Sequence, residues 1–313
     1  MALVTLKNLG KRAGGKWALW DVNLEIDSGE IVGVFGTSGS GKSTLGRILA
    51  GLDEPTNGSV IYGDAEAEDS EEKPFQASLG LNSPALAPEL TVHENLEMFA
   101  LLWGIPRRKR GKEIAFLLEM LELDEVRAKR TGCISSGAAK RVELARALLA
   151  DSPLLIIDGL LESLDSHIFE KVWEHLLSLR RNRVKSAVVF TSSGRIAETC
   201  QKLAVIHRGR IGFMGRSDDF RRMAGEDMVV LGETASPAIK SRIQEQFSVV
   251  IREENGFLSF RVGNGERVVS DILSEFGSEV GCVYLKRPTL EDALAVLSGS
   301  TGVAAGSPEG RPQ

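Results

Sequence analysis

The chain has 313 residues, 42% of them hydrophobic and 26% charged, enough apolar material for one large domain plus a smaller one. A formal net charge of −5 argues against nucleic acid as the partner, because duplex binding leaves a basic footprint. Its three cysteines, Cys133, Cys200 and Cys282, include no CxxC pair, which suits a reducing compartment better than a disulfide framework.

From the N-terminus, "LVTLKNL" and "VNLEI" alternate like half-buried strands, and "EIVGVFG" is a near-continuous apolar strand running into glycines. "KSTLGRILAGL" then carries helical spacing. The polar, acidic stretch at 65–83 reads as an exposed loop. Residues 84–150 read as a helical subdomain. Thr91 followed by Glu94 has capping-box spacing, and "EIAFLLEMLEL" and "AAKRVELARALLA" are amphipathic. The basic run "PRRKRGK" at 106–112 reads as a solvated loop between helices. The longest apolar run, "MFALLWGIP" at 98–106, is far short of the roughly 20 residues of a membrane span. The expectation is therefore a soluble chain whose membrane role, if any, comes through a partner.

Beyond residue 150, "PLLIID", "SAVVFT" and "LAVIH" alternate with helical stretches, the pattern of a mainly parallel sheet with helices on its faces. A boundary is expected near 223–229. Past it, strand, helix, a hairpin around Asn255-Gly256, helix, strand and helix make a small α+β domain. The expected division is 1–224 for the first domain and 225–298 for the second. The tail at 299–313 is low in bulky apolar residues and reads as disordered.

"GTSGSGKST" at 36–44 fits the pattern G-x-x-x-x-G-K-[ST] and stands between an apolar strand and a helix, as that motif requires. Its residues are Gly36, Thr37, Ser38, Gly39, Ser40, Gly41, Lys42, Ser43 and Thr44. Glycines let successive backbone N–H groups curl around phosphate oxygens, and the helix N-terminus adds partial positive charge. Lys42 is the expected bridge between β- and γ-phosphates, and Ser43 the expected Mg²⁺ ligand.

The order of parts resembles the ATP-binding subunit of ABC transporters over about residues 2–222. "PALAPELTVHENL" at 84–96 looks like the segment after that family's Gln loop, and "ISSGAAKRVELARALL" at 134–149 like its signature loop and helix. "LLIIDGLLESLD" at 154–165 resembles the Walker B strand running into the D-loop, and "LAVIHRGRIGFMG" the closing strand pair. The ending "RPTLEDALAVLSG" at 287–299 resembles the drug-exporter subgroup typified by daunorubicin-resistance ATPases. The resemblance implies a P-loop NTPase fold, an α/β core with a mixed sheet and a helical subdomain. It also implies ATP and Mg²⁺ as ligands, with Asp158 and Ser43 organising the metal.

The departures from the family pattern imply degenerate catalytic motifs. Gly159 stands where the family has its general-base glutamate. Asn82 aligns with the Gln, Ser193 lies nearest the switch His, and Ala13 aligns with the adenine-stacking aromatic. Trp17 is the alternative stacking residue or else a core tryptophan. In the signature loop, Ser135 and Gly137 keep a hydroxyl and an N–H to offer a γ-phosphate across a dimer interface. Glu162 lies three residues past the base position, and its carboxylate is expected to miss the attacking water. These features imply retained ATP binding with poor hydrolysis, in an asymmetric pair with a second, intact ATPase subunit on integral membrane permeases, peripheral to the cytoplasmic face. Two other readings stand beside it: a soluble ATP-dependent switch or scaffold of the same class, and an ordinary active ATPase.

Overall fold

Three strands in which every residue is buried define the centre of the first unit. The computed structural model describes residues 2–63, 77–82, 85–181, 185–234, 238–254, 256–277 and 279–299. Two compact units divide the chain, Met1–Ser217 and Asp218–Gln313.

In the first unit, β1 (Ala2–Ala13), β2 (Lys16–Asp27), β3 (Ile31–Phe35), α1 (Lys42–Leu49) and β4 (Asn57–Tyr62) come first. β5 (Ala77–Gly80), α2 (Val92–Leu102), α3 (Arg107–Met120) and α4 (Ser136–Leu149) follow. The unit continues with β6 (Leu154–Asp158), a 3₁₀ turn at Leu160–Ser163, α5 (Ser166–Arg181), β7 (Ser186–Thr191), α6 (Gly194–Thr199), β8 (Lys202–His207) and β9 (Arg210–Gly215). A six-stranded sheet has the order β5-β6-β7-β3-β8-β9, parallel throughout except for the antiparallel β8–β9 pair. β2, β1 and β4 form a separate antiparallel sheet in that order.

Every residue of β3, β6 and β7 is buried. That is why each reads as a continuous apolar run, since a parallel strand is covered on both faces. The two-residue period of a strand then sorts the side chains. Ile31, Leu155, Ile157, Ala187 and Val189 join the helical subdomain's core with Leu96, Leu118, Val142 and Val172. Val32, Val34, Ile156, Val188 and Phe190 face the antiparallel sheet and α1, with Leu6, Leu24 and Leu45.

The capping box at the start of α2 is present. Glu94 N–H donates to Thr91 Oγ1 at 3.1 Å, and Thr91 N–H donates to Glu94 Oε2 at 2.8 Å. Two local expectations change. The basic run at 107–112 is the first turns of α3, not a loop. Pro106 starts the helix, and arginine and lysine are good helix formers, which outweighs their unfavourable place at a helix N-terminus. The stretch at 65–83 lies partly outside the described residues, but Ala77–Gly80 is a strand, because its backbone pairs in parallel with β6.

The second unit contains α7 (Ser217–Arg222) at its start, then β10 (Asp227–Thr234), α8 (Ala238–Phe247), β11 (Arg252–Glu254), β12 (Phe257–Val262), α9 (Gly265–Phe276), β13 (Val280–Lys286) and α10 (Leu290–Leu297). Its antiparallel sheet has the order β11-β12-β10-β13. Val229, Leu231, Leu258, Phe260 and Val262 alternate onto one face and pack with Ile239, Ile243, Ile272 and Phe276 from α8 and α9. β11 and β12 make the expected hairpin, with Asn255 outside the described residues. The expected disordered tail, beyond Gly299, also lies outside them.

Candidate functional site

The C-terminal ends of β3, β6 and β7 open onto one cavity of about 310 Å³. Ser38, Gly39, Gly41, Lys42, Ser43 and Thr44 line one side of it. Asn82, Asp158, Gly159, Glu162, Phe190 and Ser192 line the other, and Ala18 completes it. A parallel sheet places ligands beyond the carboxyl ends of its strands, so the fold dictates this location.

The loop side is shaped by backbone. At Gly36 an added Cβ would lie 2.2 Å from Ile206 O and 2.8 Å from Ser40 Oγ, so only glycine fits between the loop and β8. Gly41, the residue before α1, has φ 110°, which L side chains rarely adopt. Lys42 Nζ donates to Gly36 O and Thr37 O, each at 2.8 Å. Its ammonium is thus held over the concave loop. Burial lowers its pKa, opposed by the charges of Asp158 and Glu162. Ser40 Oγ is buried and has no partner among the described residues. An ammonium folded back on the loop's own carbonyls, a buried hydroxyl without a partner and a cradle that excludes Cβ atoms fit a bound polyphosphate.

The metal expectation is tested by donor chemistry. Ser43 and Asp158 line the same cavity, and burial raises the pKa of Asp158 while Ser43 and Lys42 hold it down. A hydroxyl and a carboxylate at the edge of a phosphate cradle suit Mg²⁺, which takes one or two protein oxygens and completes its shell with phosphates and water. No cluster of three or more His, Cys, Asp or Glu that could hold a metal ion occurs among the described residues.

The structure places the other sequence-predicted residues as follows. Asn82 lines the cavity against Gly159, whose built Cβ would be 3.6 Å from the Asn82 side chain. Ser192, not Ser193, faces the cavity; Ser193 starts α6, and its N–H donates to Thr191 Oγ1 at 3.0 Å. Trp17 is not among the lining residues. Arg12 covers its ring at 4.7 Å, Trp20 packs edge-on at 4.8 Å, and Ala18 is the residue of β2 that lines the cavity. Ser135 and Gly137 lie away from it, at the exposed start of α4, where Ser135 Oγ accepts the N–H of Ala138 at 3.2 Å.

Glu162, whose carboxylate was expected to miss the attacking water, lines the cavity. Its Oε1 accepts from Thr191 Oγ1 at 2.8 Å, Ser192 N at 2.6 Å and Ser192 Oγ at 3.1 Å. Local spacing in the sequence carried no signal for this, because the position depends on Thr191 and Ser192 at the end of β7.

Glu143 was also missed. It is fully buried on α4, pairs with Arg146, and accepts the N–H groups of Leu81 and Ala85 at 3.3 Å each. Arg146 Nη2 in turn donates to Leu79 O at 3.2 Å. Burial raises the pKa of Glu143, with Arg146 as the main opposing influence. The signature helix therefore holds the segment bearing Asn82 through a buried acid.

A phosphate cradle at the end of a parallel sheet, with Ser43 and Asp158 at its edge, defines the class as a P-loop nucleotide-binding protein. Comparison with known proteins narrows this. The ABC transporter family model matches residues 19–161. The lipoprotein-releasing system ATP-binding protein of Oleidesulfovibrio alaskensis is 32% identical over 219 residues, 67% of this chain and 95% of that protein. The methionine import ATP-binding protein of Clostridioides difficile is 28% identical over 289 residues, 87% of this chain and 90% of that protein. Among solved structures, a dimeric ATP-binding cassette in a post-hydrolysis state with ADP and phosphate matches at TM-score 0.60 and 30% identity, covering 68% of this chain and 98% of that one. The chain belongs to the ABC transporter ATP-binding family.

Proposed function

We propose that this chain is the Mg-ATP-binding subunit of an ABC transporter in which the family's hydrolytic machinery is weakened, and that it works as the degenerate half of an asymmetric pair. One observation carries the reading. Lys42, Ser43 and Asp158 converge on one cavity, while the residue after Asp158, Gly159, brings no side chain to it. The phosphate-binding residues are in place and the usual base is missing. General-base removal costs about 10²–10⁴-fold in rate. A pair built only from this chain would carry two weak sites, so an intact second ATPase subunit is the natural partner, its P-loop completed by Ser135 and Gly137 of this chain.

Attachment at the cytoplasmic face through integral membrane permeases is part of the same proposal. No helix among the described residues is long and apolar enough to cross a membrane. Export rests on the ending at 287–299. Against it, the Clostridioides difficile import relative spans 87% of this chain, so co-purified permeases must decide direction.

The test joins equilibrium binding of Mg-ATP, steady-state ATPase rate and co-purification from the native host. Tight binding that depends on Lys42, turnover well below about 1 s⁻¹ and recovery of a second ATPase subunit are expected. Turnover at or above that rate by the isolated chain would make it an ordinary ATPase.

A further inference from the structure

We propose that Glu162 is the general base for the slow ATP hydrolysis that this site retains, taking over one turn further on from the residue that Gly159 has replaced. The inference rests on the reading of the chain as an Mg-ATP-binding subunit.

The geometry begins at Gly159, with φ 71° and ψ −1°, a left-handed conformation that glycine adopts without penalty. Its N–H donates to Phe190 O at 3.0 Å, so the turn starts while the chain is still fastened to β7. Leu160–Ser163 then follows as a 3₁₀ turn. Such a turn has three residues per revolution, and side chains at i and i+3 eclipse. Leu160 and Leu161 are buried in the helical subdomain's core, which fixes the turn's rotation. The next residue, Glu162, is thereby left facing outward into the cavity it shares with Lys42, Ser43 and Asp158.

The carboxylate is oriented as a base must be. Oε1 is saturated by three donors from Thr191 and Ser192 at the end of β7. Oε2 has, among the described residues, only the shared Ser192 hydroxyl at 3.2 Å, so lone pairs stay free for a water. Glu162 lines the same cavity as Lys42, Ser43 and Asp158. In the reaction, the oxygen of a water held by Oε2 forms the new bond to the γ-phosphorus. The bond from that phosphorus to the β–γ bridging oxygen breaks, and its electron pair stays with ADP. The water's proton passes to Oε2 and then to solvent, leaving inorganic phosphate.

The experiment compares the full-length wild type with Glu162→Gln, Glu162→Asp and Lys42→Ala. Mg-ATP affinity is measured by equilibrium dialysis and turnover by phosphate release from pH 5 to 9. Gln keeps an acceptor for Thr191 and Ser192 but cannot take a proton. The expected result is wild-type turnover above Lys42→Ala, and loss of that difference in Glu162→Gln. Its affinity should stay within about twofold, because the change touches proton transfer and not the phosphate cradle. Glu162→Asp should fall between the wild type and Glu162→Gln in turnover. Turnover in Glu162→Gln equal to the wild type overturns the proposal. So does a parallel loss of affinity and turnover, which would make Glu162 a structural clasp on β7. Wild-type turnover no greater than that of Lys42→Ala, with binding intact, sinks this inference but leaves the binding reading standing. Binding unaffected by Lys42→Ala refutes the binding reading itself.

Discussion

The two walls of the cavity are built on different principles. The phosphate side is backbone: glycines, N–H groups and the start of α1, with Lys42 as its one long side chain. The hydrolytic side is made of side chains on the turn after β6 and at the ends of β5 and β7. The backbone wall fits the phosphate-loop pattern at each of its fixed positions. The side-chain wall has glycine at 159 and presents a carboxylate from 162. A cradle made of N–H groups cannot shift by a residue without refolding the loop. A carboxylate can reach the same space from a neighbouring turn while the strands beneath stay as they are.

That contrast can be broken at several points. The largest expected effect is at Glu143, the buried acid joining the signature helix to the Asn82 segment. Glu143→Ala strands Arg146 and two backbone N–H groups, and should cost about 3–5 kcal/mol in urea unfolding. Much of the binding should survive in whatever fraction folds, because the phosphate wall is not touched. A cost below about 1 kcal/mol would show that the segment is held by other means.

Lys42→Ala comes next. Loss of charge-assisted bonds worth about 1.5–3 kcal/mol should weaken Mg-ATP binding by roughly 10- to 100-fold with little change in the urea midpoint. Gly159→Glu follows. It restores the family residue on paper, but a side chain at φ 71° costs about 1–2 kcal/mol. The variant should be less stable by that amount and should not regain fast turnover. A gain in both would mean that the turn re-forms with a right-handed residue 159 and swings Glu162 away.

The smallest effect concerns pH. Burial raises the carboxyl pKa of Asp158 in the folded chain. A raised acid contributes stability that is fully present below its unfolded pKa of about 3.9 and is lost as pH rises through the folded value. At neutral pH its charge is thus a cost in the nucleotide-free protein. Asp158→Asn should raise nucleotide-free stability by about 1 kcal/mol at pH 7 and abolish the Mg²⁺ dependence of ATP binding. In the wild type, Mg-ATP affinity should rise with pH across the same window, because metal and proton compete for one carboxylate. An Asn variant that keeps full Mg²⁺ dependence would remove Asp158 from the metal site.

The sequence by itself determined the apolar strands β3, β6 and β7, the capping box of α2 and the phosphate loop. Each depends on neighbours within a few residues: a run buried on both faces, a reciprocal pair of side chain and backbone, and glycines where no Cβ fits. Only the tertiary structure decided what followed from distant partners. Ala77–Gly80 is a strand because β6 lies beside it. Trp17 lies outside the cavity lining, with Arg12 and Trp20 packed against its ring. Glu162 enters the cavity because two leucines anchor a 3₁₀ turn, left-handed at Gly159, and Thr191 and Ser192 wait at the end of β7. Periodicity reports which face a residue takes on its own element, whereas the position of an active carboxylate depends on where that element is held by the rest of the chain.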